Sequence, residues 1–274
     1  MKVSVIVTTY KDLISLGLVL DSLVRQDYNN FEVIVAEDDN DISTVEFLKK
    51  YQNKLDLLHV NHPDNGRKKT VIQNKAVQKA KGEYLIFLDG DVIAYKKFIS
   101  SQVKIAKKGQ ALAGRRVNLN EKITQQIKDG VLDPYMIEKY YFFFALKFMF
   151  DKESRFEQGI YISPDSYIYK WYLSKRVRNA SILGCNWSCF KSDFLLINGF
   201  DEGYQNSSIG EDTDLDWRFK MAGIDVKSSK NIANVFHLYH KQSDMLGGSS
   251  GRERMELQKK KKEFRCRNGI IKYD

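Results

Sequence analysis

Through the first half of the chain, apolar positions switch between two periods. Residues 2–9 form a short β-branched run suited to a strand buried on both faces of a parallel sheet. Residues 13–24 then repeat apolar side chains at helical spacing (Leu13, Leu16, Leu20, Leu23, Val24), and residues 31–36 are β-branched again, which makes a βαβ unit. The spacing goes on to predict a helix over 44–51, a strand over 55–60, a helix over 70–80 and a strand over 84–88. Alternation of this kind implies a mostly parallel sheet with helices on both faces and ligands outside the carboxyl ends of the strands. Between residues 107 and 178 the pattern loosens into a stretch rich in Tyr and Phe, where only a helix over 135–150 can be placed. After it come a strand over 180–190, a short helix over 191–198, an amphipathic helix over 212–222 and a strand over 232–237.

Bulk properties narrow the picture. A chain of 274 residues, 43% hydrophobic and 29% charged, can bury one large core, so a single domain is expected. The longest apolar run, residues 140–150, is interrupted by Lys147 and falls well short of the roughly 20 residues needed to cross a bilayer. Met1-Lys2 leads into only a short apolar stretch with no cleavage site, so the protein is expected to be cytoplasmic. Cys185, Cys189 and Cys266 are too few for a disulfide framework or a zinc site and read as buried thiols. The net charge of +9 is concentrated, for residues 252–267 carry eight basic and three acidic side chains. With Phe264 their sole aromatic, they do not look like a nucleic-acid module. The basic tail over 251–274 is expected either to lie on the inner face of the cell membrane or to be a solvated helix.

Four clusters carry candidate chemistry. Glu37-Asp38-Asp39 directly follows a predicted strand, where carboxylates can accept hydrogen bonds from ribose hydroxyls or a base imide, although acidic loops are also ordinary solvated turns. Asp89-Gly90-Asp91 ends the strand over 84–88. Two carboxylates there must face water or hold a cation, because burying uncompensated charge is very costly, and a divalent ion could bridge phosphates and offset charge on a leaving group. Gly210-Glu211-Asp212 opens the helix over 212–222; Asp212 could act as a general base towards a hydroxyl, or the acids could simply cap the helix and match its dipole. His237 and His240, two of the four histidines, close the last strand, and imidazole added to a carboxylate site favours manganese over magnesium.

Taken in order, these residues resemble the inverting glycosyltransferases of family 2, which have the GT-A fold, over nearly the whole chain. The segment from Gly184-Cys185-Asn186-Trp187-Ser188 through Ile197-Asn198-Gly199-Phe200-Asp201 to Gly210-Glu211-Asp212 resembles the β-1,4-galactosyltransferase type. The resemblance implies an α/β GT-A domain over 1–250, with a Rossmann-like nucleotide-sugar-binding half over 1–110 and an acceptor-binding, catalytic half over 111–250. It implies that Thr8, Tyr10 and Asp38 contact the nucleoside and that Asp89 and Gly90 belong to the donor site. Asp91 and His237 would bind Mn2+ or Mg2+, with Asp89 and His240 as second choices. Glu211 and Trp187 would meet the acceptor, and Asp212 would be the base. The family's Ala-Arg-Asn is replaced by Ile72-Gln73-Asn74, which passes the phosphate contact to Arg67 or Lys68, and Ser208-Ile209 stands where the galactosyltransferase type has tryptophan.

The implied reaction moves a sugar from a UDP-sugar to a hydroxyl of a saccharide or lipid-linked oligosaccharide, with inversion, as in surface polysaccharide, lipopolysaccharide or capsule synthesis. A sugar nucleotidyltransferase would instead carry a glycine-rich phosphate loop, and Thr8 to Asp12 contains no glycine. An inactive carbohydrate- or polyanion-binding relative would be expected to have lost one of Asp89, Asp91, Asp212 or His237, and all are present.

Overall fold

The computed structural model describes residues 1–149, 151, 153–175, 180–204, 210–241 and 250–273. Phe150, the expected end of one helix, and the Ser208-Ile209 pair lie outside them. Val3–Thr9 (β1) is buried along its whole length. Leu13–Val24 (α1) begins where the Asp12 side chain accepts the Ser15 amide at 2.9 Å, an ordinary N-cap. Phe31–Glu37 (β2), Ile42–Leu48 (α2), Leu57–Asn61 (β3), Lys69–Lys79 (α3) and Tyr84–Asp89 (β4) continue the alternation. β1 pairs in parallel with both β2 and β4, and β3 lies outside β2. The direction of travel across the sheet therefore reverses between β1 and β4. At such a switch point the connections leave to opposite sides and open a crevice at the strands' carboxyl ends. Thr8 and Asp89 are register partners across it.

The rest of the chain extends this frame. Val92–Ala94 (β5), Phe98–Ile105 (α4), Gln110–Ala113 (β6) and Val117–Asn118 (β7) precede Glu121–Lys128 (α5), Pro134–Lys139 (α6) and Tyr141–Phe148 (α7). Asn186–Phe190 (β8), Lys191–Leu196 (α8), Glu211–Met221 (α9), Asp225–Ser228 (β9), Val235–His237 (β10) and Ser250–Lys261 (α10) follow. β8 inserts antiparallel between β4 and β6, and β9 pairs in parallel with β6, giving a seven-stranded sheet β3-β2-β1-β4-β8-β6-β9. A small sheet β5-β10-β7 lies apart from it. Helices cover both faces of the large sheet: Leu16, Val19, Leu20, Leu23 and Phe98 pack on one side with Val3, Val5 and Val7, while Ile72, Ala76, Phe194, Leu215 and Phe219 pack on the other with Ile6. This is the α/β architecture expected. No described helix is long and apolar enough to cross a membrane.

Several expected boundaries move. The helix expected over 135–150 is broken at Tyr140, whose φ of −109° and ψ of 33° close α6 and open α7. The strand expected over 180–190 begins only at Asn186, and that over 232–237 only at Val235.

Residues 251–273 of the tail are held against the domain. Asp201, buried, accepts both Arg254 Nε at 2.9 Å and Arg254 Nη2 at 2.8 Å, together with Gln258 Nε2 at 2.6 Å. The Asn198 side chain bonds the carbonyls of Cys266 and Ile271 at 2.8 and 2.7 Å. Gly199 has a φ of +74°, and a Cβ there would lie 2.6 Å from Asn74 Oδ1. The stretch from Ile197 to Asp201 is thus the anchor of the tail, while Lys260, Lys261 and Lys262 stay exposed.

Beneath this anchor Arg218 is fully buried. Its Nε lies 2.7 Å from Asp214 Oδ2, and its Nη1 donates to the carbonyls of Ile197 and Gly199 at 3.0 and 2.7 Å. The Tyr204 hydroxyl donates to the other Asp214 oxygen at 3.1 Å. Removing one partner of such a pair leaves a charge in the interior, which costs about 3–5 kcal/mol. Arg218→Ala is accordingly expected to lower unfolding stability by that amount in a denaturant titration; a change within experimental error would show the network to be dispensable.

Candidate active site at the sheet switch point

The crevice between β1 and β4 is a cavity of about 510 Å³ whose walls include Thr8, Tyr10, Asp38, Arg67, Lys69, Asp89, Gly90, Asp91 and His240. The turn after β4 presses against β1. Gly90 N–H donates to the Thr8 carbonyl at 2.7 Å, and a Cβ at Gly90 would sit 2.9 Å from that oxygen, so only glycine lets the turn approach so closely. The Asp91 carbonyl then accepts the Leu238 amide at 3.0 Å, and this bond brings the end of β10 onto the turn.

Three ligand-type side chains converge there. One ligand atom each from Asp91, His237 and His240 lies within 4.8 Å of the others, and Asp91 Oδ2 is 3.6 Å from His237 Nε2 and 3.4 Å from His240 Nε2. Burial, with Arg116 and His240 nearby, pushes the His237 imidazole down to about 3, so it is neutral at physiological pH and free to offer a lone pair. Asp91 Oδ1 is buried without a hydrogen-bond partner. An orphaned carboxylate oxygen beside two imidazoles fits a divalent cation, and this donor set suits manganese better than magnesium.

Beside the cavity wall at Lys69 stands α9. Its N-cap is Gly210, which has no side chain to cap with, and Glu211, Asp212 and Asp214 fill the first turn, where carboxylates also match the helix dipole. Asp212 Oδ2 accepts the Gly184 amide at 3.2 Å and Oδ1 the Thr213 amide at 2.8 Å. A Cβ at Gly210 would meet Oδ1 at 2.4 Å, so the glycine makes room for this carboxylate. Burial raises the Asp212 carboxyl above its ordinary value, and the neighbouring Glu211 charge adds to the shift.

Lys69 joins the two sides. Its Nζ lies 2.7 Å from Asp89 Oδ1 and 3.3 Å from Glu211 Oε1. Burial works against the ammonium, but the two carboxylates outweigh it and hold the lysine charged. For Glu211 burial is likewise opposed by Lys69, which keeps that carboxyl below the usual range. Sequence reasoning singled out Arg67 and Lys68 and missed Lys69. Arg67 does line the cavity, but Lys68 contributes its backbone amide, which donates to Asp38 Oδ2 at 2.9 Å. The missed signal was helical phase: Gln73, one turn after Lys69, donates at 3.0 Å to Thr8 Oγ1, and Thr8 lines the same crevice.

Other expected residues take different places. Asp38 lines the cavity, with its Oδ1 held 2.6 Å from His62 Nε2, so it is a preoriented acceptor. Tyr10 is half exposed at the rim, its hydroxyl donating to Asp64 at 3.3 Å. Trp187 is a correction. It is 1% exposed and stacks on Phe87 at 4.1 Å between centroids with planes 5° apart, so it belongs to the core and cannot touch an acceptor. All three cysteines are buried and free.

Two family models match the chain: that of glycosyl transferase family 2 over residues 4–162, and that of the N-terminal domain of galactosyltransferase over residues 168–241. Among curated relatives, the poly(ribitol-phosphate) beta-N-acetylglucosaminyltransferase TarS of Staphylococcus aureus is 37% identical over 97 residues, 33% of this chain and 16% of its own. The hyaluronan synthase of Pasteurella multocida is 33% identical over 101 residues, 36% of this chain and 10% of its own. The fold is similar to that of S. aureus TarS 1-349 in complex with UDP-GlcNAc, with a TM-score of 0.55 at 19% identity over 89% of this chain and 60% of that one. It is also similar to the mannosyltransferase PcManGT of Pyrobaculum calidifontis in complex with GDP-Man and Mn2+, with a TM-score of 0.56 at 16% identity over 88% of this chain and 58% of that one. The chain therefore spans less than two thirds of the length of each of these proteins.

If Lys69 bridges two buried carboxylates, Lys69→Met, which keeps the length and loses the charge, should lower stability by about 3 kcal/mol, and Lys69→Arg should restore most of it. Equal thermal midpoints for wild type and the methionine variant would show that the bridge does not form.

Proposed function

The chain belongs to glycosyl transferase family 2, and from that premise we propose that it moves a sugar from a UDP-sugar donor to a hydroxyl of a saccharide or lipid-linked oligosaccharide acceptor, with inversion. The observation that carries this reading is the cation-ready cluster at Asp91, His237 and His240, of which Asp91 and His240 line the cavity, together with the raised carboxylate of Asp212, whose neighbour Glu211 lies 3.3 Å from Lys69 in the wall of the same cavity. The donor diphosphate enters at the carboxyl ends of β1 and β4, with Thr8, Tyr10 and Asp38 toward the nucleoside and Arg67 and Lys69 toward the phosphates. Asp91 and His237, with His240 or Asp89 beside them, would hold a divalent ion, which would supply positive charge and Lewis acidity at the departing diphosphate.

Asp212 acts on the acceptor. Its carboxylate takes the hydroxyl proton as the acceptor oxygen forms a bond to the anomeric carbon, and the bond from that carbon to the diphosphate oxygen breaks on the opposite face. An α-linked donor then gives a β-linked product. Glu211, kept ionised by Lys69, is positioned to accept a hydrogen bond from an acceptor hydroxyl. Donor chemistry is supported by the similar S. aureus TarS structures in complex with UDP-GlcNAc or UDP, and a cation by the Mn2+ of the mannosyltransferase complex. The relatives, a poly(ribitol-phosphate) beta-N-acetylglucosaminyltransferase and a hyaluronan synthase, support a surface polymer as acceptor.

Asp212 must be ionised to accept a proton, and its carboxyl is raised above the ordinary aspartate value of 3.8. Activity should therefore fall as pH drops through that raised value, and the acid limb of the kcat/KM profile should lie above pH 3.8. Asp212→Asn should lower kcat by about 10²–10⁴-fold while leaving donor affinity unchanged, and should abolish the limb. Near-normal turnover in this variant would remove Asp212 from the mechanism.

A further inference from the structure

Helix α7 is apolar almost all round. Tyr141 and Phe148 are buried and, through Tyr141, pack against Tyr95 and Phe236 of the small-sheet core. The opposite face is bare: Phe142 is 76% exposed, Phe143 67%, Leu146 50% and Met149, just beyond the helix, 49%. At 100° per residue these four fall on one side, so the exposure is a continuous apolar stripe rather than scattered side chains. No acidic residue occurs between Lys139 and Phe150, and Lys139, the last residue of α6, and Lys147 on α7 are both exposed. At the root of the helix a cleft of about 230 Å³ is rimmed by Lys96, Lys97, Lys139, Tyr95, Tyr135 and Tyr161. The acid in this cleft, Glu138, is turned to the Lys96 amide, which donates to both its oxygens at 3.0 Å.

Apolar and aromatic side chains framed by tyrosine and lysine make up the composition of a helix that lies in a membrane interface. We propose that the solvent face of α7 docks on an anionic lipid leaflet, with Phe142, Phe143, Leu146 and Met149 entering the boundary between headgroups and acyl chains and Lys139 and Lys147 meeting headgroup phosphates. Charge decides between this occupant and a second copy of the chain. A two-fold contact would bring together two patches of the same positive sign, whereas an anionic leaflet attracts each lysine, by about fivefold in partition per residue near the surface. The inference does not depend on the proposed reaction, and it gives the membrane contact to α7 rather than to the basic tail, whose Arg254 and Gln258 are spent on Asp201.

Co-sedimentation of the full chain with vesicles tests it, comparing pure phosphatidylcholine with equal parts phosphatidylcholine and phosphatidylglycerol. The wild type should pellet with the anionic vesicles and remain in solution with the neutral ones. The double variant Phe142→Ser/Leu146→Ser, with its thermal midpoint checked against wild type, should lose more than about tenfold in partition. The tail variant Lys260→Ala/Lys261→Ala/Lys262→Ala should retain most of the binding. Vesicle binding unaffected by the α7 variant, or lost only in the tail variant, would overturn the proposal. So would a wild type that ignores vesicles and runs as a dimer that the α7 variant dissociates, since a second copy would then cover this face.

Discussion

The ammonium of Lys69 lies between carboxylates that the chain keeps far apart, 2.7 Å from Asp89 at the end of β4 and 3.3 Å from Glu211 at the start of α9. Each of these acids is partly buried, which disfavours its charge, and each has a like-charged neighbour, Asp91 for the one and Asp212 for the other. A single cation shared by both opposes that repulsion and lets the two halves of the crevice close on each other. Everything proposed about the reaction depends on this closeness: the donor side carries the cation-ready cluster, the acceptor side carries the base, and the bridge sets the distance between them. A bound diphosphate would bring further negative charge to the same lysine, and so the bridge can serve the substrate as well as the resting site.

The sequence announced the frame of the site more clearly than its furnishing. The parallel half, β1 to β4, was legible because each strand is a buried β-branched run and each helix between them repeats its apolar stripe. β5 and β7 are three and two residues long, and β9 is the polar run Asp225–Ser228, too short or too polar for a period to appear, while β10 was expected, but over twice its length. Order among the motifs singled out Asp91, His237 and Asp212, because strand ends and helix starts are where such acids and imidazoles gather. Trp187 was misplaced for a physical reason. A tryptophan near a motif looks like a sugar platform, but alternation within β8 turns it into the core against Phe87, Phe194 and Phe200. Lys69 was overlooked since a run of three basic residues does not reveal which one faces inward until the phase of α3 is known.

Charge is likewise distributed by structure more than by composition. The basic tail accounts for much of the net +9, yet part of it is used internally, where Arg254 neutralises the buried Asp201 and the chain beyond closes over Asn198 and Gly199. The Ile197 to Asp201 stretch, which by resemblance belongs to an acceptor-binding half, here anchors that tail and roofs the Asp214–Arg218 pair. Support for α9 is therefore built from the C-terminal end of the chain, so the helix that carries the proposed base at its N-terminus is fixed by contacts remote from the crevice.

The central claim is that one crevice binds a nucleotide diphosphate through a cation held at Asp91, and it is tested most directly by thermal shift with UDP and GDP, each with Mn2+ and with chelator, on wild type and Asp91→Ala. A ligand at 100 times its dissociation constant stabilises by about 2.7 kcal/mol, which raises the midpoint of a protein this size by several degrees. The account predicts that UDP raises the wild-type midpoint with Mn2+ only, and that the variant does not respond. An equal rise in the presence of chelator, an unchanged response in Asp91→Ala, or no rise with either nucleotide would contradict it.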